Sequence, residues 1–99
     1  MEKKYFVVKQ IPCRPDFAFT MTDAERQIME EHKSYWAERM REEKVVAYGP
    51  VLDMKNGPYG LGIVCVQDDA ELEEMLKHDP AGQINTFETA VMMALVPEK

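Results

Sequence analysis

Residues 5–11 alternate, with Tyr5, Val7, Lys9 and Ile11 on one side and Phe6, Val8 and Gln10 on the other, the period of a strand that Pro12 stops. Residues 12–21 hold two prolines, Asp16 and Thr20 without any period, and read as a loop. Thr22-Asp23-Ala24-Glu25 is a capping box, so a helix is expected from about Asp23. Ile28, Met29, His32, Tyr35, Trp36 and Met40 then trace one face of that helix to about residue 43, opposite Glu30, Lys33, Glu38 and Arg41. Residues 44–49 form a second strand, and the turn formers of residues 56–60 make it one arm of a hairpin whose other arm is residues 61–67. A second helix opens at Asp68 or Asp69, carries Leu72, Met75 and Leu76 on its apolar face, and ends at Asp79-Pro80. Residues 86–96 are β-compatible on both faces and supply the last strand.

The order βαββαβ predicts an α+β fold of ferredoxin-like type, a four-stranded antiparallel sheet with both helices on one face. Strands three and four are apolar at nearly every position, so the second face also requires cover; two helices reach only one. A homodimer is expected, its two sheets packed face to face and closing into an α+β barrel, with a ligand cavity between sheet and first helix or between subunits.

Composition narrows the function classes. The 99 residues match common domain size, so 1–99 is expected to be a single domain. With 45% hydrophobic and 30% charged residues the chain is globular, and it has no apolar run near the roughly 18 residues of a membrane span. Met1-Glu2-Lys3-Lys4 leads into an apolar stretch too short for a signal peptide, which predicts a cytoplasmic protein. A net charge of −6 without a basic cluster argues against nucleic acid as a partner. Cys13 and Cys65 stand alone and read as small hydrophobes; neither they nor the two histidines have metal-ligand spacing. Gly57, Gly60 and Gly62 lie in a turn and strand, not at a helix start, so no phosphate loop is present. Met29, Met40, Met75, Met92 and Met93 fall at expected core positions, and the acidic runs read as solvated faces.

His32 is the sharpest candidate for chemistry, an imidazole inside the apolar stripe of the first helix. It is either a core histidine satisfied by a hydrogen bond or a general acid or base. Asp79 is either an ordinary turn former or the carboxylate that orients that imidazole. His78 complements the dipole at a helix C-terminus and is not read as a site.

Glu31-His32-Lys33-Ser34-Tyr35-Trp36, Tyr48-Gly49-Pro50-Val51, Gly60-Leu61-Gly62-Ile63-Val64 and Asp79-Pro80, in this order and spacing, resemble the YciI-like (YCII-related) proteins over nearly the whole chain. The resemblance implies a ferredoxin-like protomer dimerising into a barrel, similar to muconolactone isomerase-type proteins. It also implies an active site built from His32 and Asp79, and enzymes that work on small, often cyclic or aromatic, compounds without metal or organic cofactor. The first loop is longer than in the shortest family members. Tyr35, Trp36 and Tyr48 are expected as cavity wall and substrate contacts; Arg14, with Pro15 and Asp53, would rim the same cavity. The first expectation for function is therefore a lyase or isomerase using a His32–Asp79 acid–base pair. The other is a non-catalytic dimeric module that binds a small metabolite.

Overall fold

A computed structural model describes residues 3–97. Strand β1 (Lys4–Ile11) is followed by a one-turn helix, α1 (Phe17–Thr20), and a long helix, α2 (Asp23–Arg41). Strands β2 (Val45–Val51) and β3 (Tyr59–Val66) form the hairpin; helix α3 (Asp69–Lys77), a 3-10 turn (Pro80–Gln83) and strand β4 (Thr86–Met92) complete the order. The sheet is antiparallel throughout, in the order β2-β3-β1-β4, which with the helices gives the ferredoxin-like α+β fold.

The expected caps form. Thr22 accepts from the Glu25 N–H while the Glu25 carboxylate accepts from the Thr22 N–H, and Asp68 accepts from the Glu71 N–H at the start of α3. At the far end of α2, Glu43 takes a left-handed φ of 63°, and the Lys44 N–H returns to the Arg39 carbonyl, turning the chain into β2.

Three features differ from the sequence reading. The stretch after Pro12 is not irregular throughout: Phe17 is buried and anchors one helical turn. Strand β4 stops at Met92, where pairing with β1 ends, and Met93 beyond it is 92% exposed. Met40 and Met92 also lie at the surface, so of the five methionines placed in the core only Met75 is buried and Met29 half-buried.

Directly paired residues share a face of an antiparallel sheet. Phe6, Val8 and Gln10 of β1 therefore look the same way as Val66, Val64, Gly62 and Gly60 of β3, toward the helices. Phe6, Val8, Trp36, Val45, Val64, Val66, Leu72 and Met75 form the buried core there. On the other face Tyr5, Val7 and Ile11 stand beside Leu61, Ile63 and Cys65, with Ala90 and Met92 on β4. None of these outward residues is buried. No helix among the described residues is long and apolar enough to cross a membrane.

Candidate active site

His32 and Trp36 are four residues apart on α2, so they project from the same side of the helix toward the sheet, and both are buried. Asp79 reaches them from the end of α3. Pro80 removes an N–H and holds the residue before it in extended backbone, with φ −73° and ψ 123° at Asp79. The chain turns there, and the Asp79 carboxylate swings under α2 as the cap of the 3-10 turn, its Oδ1 accepting from the Ala81 N–H at 2.9 Å.

Asp79 is 4% exposed, and its carboxylate has two more partners. Trp36 Nε1 donates to Oδ2 at 2.5 Å, and His32 Nδ1 lies 2.8 Å from Oδ1 and 3.0 Å from Oδ2. A buried carboxylate is tolerable where hydrogen bonds fill its acceptor positions, and here the Ala81 and Trp36 N–H groups and the His32 ring occupy them. Residues 47 positions apart thus form one side-chain pair, with the His32 ring clamped through Nδ1 beside a cavity that it helps to line.

That cavity has a volume of about 500 Å³ and lies between α2 and the sheet, under the α1 turn. Its walls are mainly apolar: Trp36, Tyr48, Phe17, Met21, Met29 and Tyr59 contribute much of the lining. His32, Gln10 and Asn85 provide converging polar groups at its base. Gln10 Nε2 is 3.3 Å from His32 Nε2, Asn85 Nδ2 donates to Gln10 Oε1 at 2.9 Å, and the Cys13 N–H donates to Asn85 Oδ1 at 3.0 Å. Two glycines of β3 make room for this arrangement. A Cβ at position 62 would stand 2.5 Å from the Trp36 ring, and one at position 60 would stand 2.8 Å from Gln10 Nε2.

The remaining expected contacts divide. Trp36 and Tyr48 line the cavity, their ring centroids 5.6 Å apart. Tyr35, one residue and about 100° round α2 from Trp36, is turned away; its hydroxyl donates to the Met75 carbonyl at 2.6 Å and its ring lies beneath Arg39. Arg14 and Pro15 do not line the cavity, and Asp53 accepts from the Lys55 and Asn56 N–H groups of its own turn. Arg14 instead makes two hydrogen bonds to Glu25, at 2.9 and 2.8 Å, and one to the Thr20 carbonyl at 2.7 Å. It ties the α1 turn, whose Phe17 and Ala18 line the cavity, to the start of α2. The Arg14 guanidinium, aided by the Thr22 N–H, holds the Glu25 carboxyl down at about 2.

Gln10 and Asn85 were not singled out from the sequence. A signal existed for the first, a polar residue on the same side of β1 as Phe6 and Val8. Asn85 ends the short polar stretch of residues 81–85, whose pattern carries no such signal. Among the described residues no group of three or more His, Cys, Asp or Glu side chains is arranged to hold a metal ion.

Fold and site together describe a ferredoxin-like α+β protein with a buried histidine–carboxylate pair at the base of an apolar cavity. The chain belongs to the YCII-related domain family, whose model matches residues 6–94. A comparison with curated proteins finds no match.

Proposed function

We propose that this protein is a cofactor-independent acid–base catalyst of lyase or isomerase type, acting on a small organic compound, cyclic or aromatic compounds included. His32 moves the proton at Nε2. Asp79 holds the ring through Nδ1 and stabilises the charge that the ring acquires. The observation that carries the reading is the 2.8 Å contact between His32 Nδ1 and Asp79 on a ring that lines the cavity. A histidine needed only for packing requires one satisfied nitrogen; here both are engaged, Nδ1 by Asp79 and Nε2 by a 3.3 Å contact with Gln10, on a ring that lines space for a ligand. Trp36 and Tyr48 suit the flat face of a ring, and the apolar walls strengthen electrostatic effects on a bound substrate by keeping water away.

The test is a turnover screen of small cyclic ketones, phenols and halogenated aromatic compounds with the parent protein and His32→Gln in parallel. Any compound consumed by the parent should be consumed about 10²–10⁴-fold more slowly by the variant. Compounds that bind both proteins equally while neither turns them over would replace this reading with that of a binding module.

The functional form proposed is a homodimer. Its support is the outward sheet face, where Tyr5, Val7, Leu61, Ile63, Cys65, Ala90 and Met92 would otherwise leave an apolar surface in water, bordered by the paired Lys9 and Glu88. Sedimentation equilibrium should give twice the 11.4 kDa chain mass, and a monomer at micromolar concentration would refute it.

A further inference from the structure

Gln10 and Asn85 are buried at the cavity base, 7% and 6% exposed, and the His32–Asp79 contact does not by itself account for them. Their hydrogen bonds have a direction that the two ends of the network determine. At one end the Cys13 backbone N–H, which only donates, bonds to Asn85 Oδ1. The Asn85 amide nitrogen is thereby turned toward Gln10 and donates to Oε1. Gln10 is left with its own NH₂ facing His32 Nε2. At the other end Asp79 already accepts from Trp36 and Ala81, and its contact with Nδ1 is completed by an N–H of the ring. Both ends require the same imidazole, with the proton on Nδ1 and a lone pair on Nε2.

We infer that Gln10 and Asn85 are positioning residues that hold His32 as the neutral Nδ1–H tautomer, so that its Nε2 meets a ligand as a base and not as an acid. The inference rests on His32 being the proton-moving group, and it adds the direction of the first transfer, from ligand to ring. A proton taken up at Nε2 faces the Gln10 N–H donor and not an acceptor oxygen, which favours its return to the ligand. The Gln10–His32 contact, at 3.3 Å, is the longest in the relay from Cys13 to Asp79 and so the one an incoming ligand displaces. Gly60 belongs to the same device, because its missing side chain leaves the Gln10 amide in place.

The measurement is a long-range ¹H–¹⁵N correlation spectrum of the imidazoles at near-neutral pH, with His78→Gln to assign the two rings. In the parent, His32 Nδ1 should resonate as a protonated nitrogen and Nε2 as an unprotonated one. Asn85→Asp preserves the acceptor for Cys13 but removes the donor to Gln10. The Gln10 amide then turns its oxygen to the ring, and Nε2 should move into the protonated range. Gln10→Glu puts an acceptor beside Nε2 directly, should give the same movement, and serves if Asn85→Asp does not fold. A parent ring protonated at Nε2 alone, or an Nε2 signal unmoved in a folded variant, overturns the relay. The spectrum needs no substrate, so failure of the turnover screen counts against the proposed catalysis and leaves this result standing.

Discussion

On the side of the sheet that faces the helices, β3 runs from Gly60 and Gly62 to Val64 and Val66, and the two halves serve opposite ends. Val64 and Val66 are among the most completely buried side chains and close the core with Leu72 and Met75. Two residues earlier the same face carries no side chain, and the volume is taken by Trp36, by Gln10 and by the cavity. The two ends differ by the side chains of one strand, not by its backbone pairing, which with β1 continues unbroken through both. A closed core and an open site can therefore share one regular sheet, because removing side chains at alternate positions creates room on one face only.

The most damaging change at the open end should be Asp79→Ala. It strands the Trp36, Ala81 and His32 N–H groups in the interior, and urea unfolding should register a loss of about 3 kcal/mol or more. A loss below about 1 kcal/mol would show that the carboxylate is not what completes that end of the core.

Smaller and opposite in kind is the pair Gly62→Ala and Val64→Ala. The first overpacks against Trp36 and should cost about 1–3 kcal/mol. The second empties part of the closed end and should cost about 2 kcal/mol. Fluorescence of Trp36, the single tryptophan, separates them: it should shift in Gly62→Ala and remain near the parent in Val64→Ala. Equal spectra would erase the contrast between the two halves. Gly60→Ala should cost about 1 kcal/mol, since its Cβ would stand 2.8 Å from the Gln10 amide nitrogen, which can swing aside, but also 3.1 Å from the Gln10 Cβ, which cannot. Its clearest effect should be a displaced Gln10 side-chain amide resonance.

The mildest effect concerns the turn over the cavity. Glu25 is held at about 2, below its ordinary 4.5, by its bonds to Arg14 and Thr22. A carboxyl depressed on folding contributes stability that is complete above 4.5 and disappears as pH falls toward 2. Amide protection factors at Phe17 and Phe19, corrected for intrinsic exchange at each pH, should therefore fall across that interval, and Arg14→Ala should show low protection already at neutral pH. An interval without change in the parent would mean that the ion pair does not hold the turn.

The elements, their order and the sheet topology were legible because period two, period 3.6 and capping chemistry are local, written within a few residues of one another. The inward direction of His32 was legible for the same reason, from its place between Met29 and Trp36 in one helical stripe. Tyr35 shared that stripe on paper but sits at its edge, where one residue of helical rotation decides between the cavity and the Met75 carbonyl. The short α1 turn was not legible, since Phe17 supplies a single buried contact without a repeat to mark it.

By itself, then, the sequence determined an α+β chain of βαββαβ order with an imidazole facing inward from its first helix, all consequences of spacing along the backbone. Only the tertiary structure decided that Asp79 closes on His32 from 47 residues away, and that Gln10 and Asn85 meet at its other nitrogen. It also decided that Tyr48 and not Tyr35 borders the cavity. The physical reason is that such meetings depend on how thickly side chains fill the space between elements, and here that thickness is set by two glycines on β3.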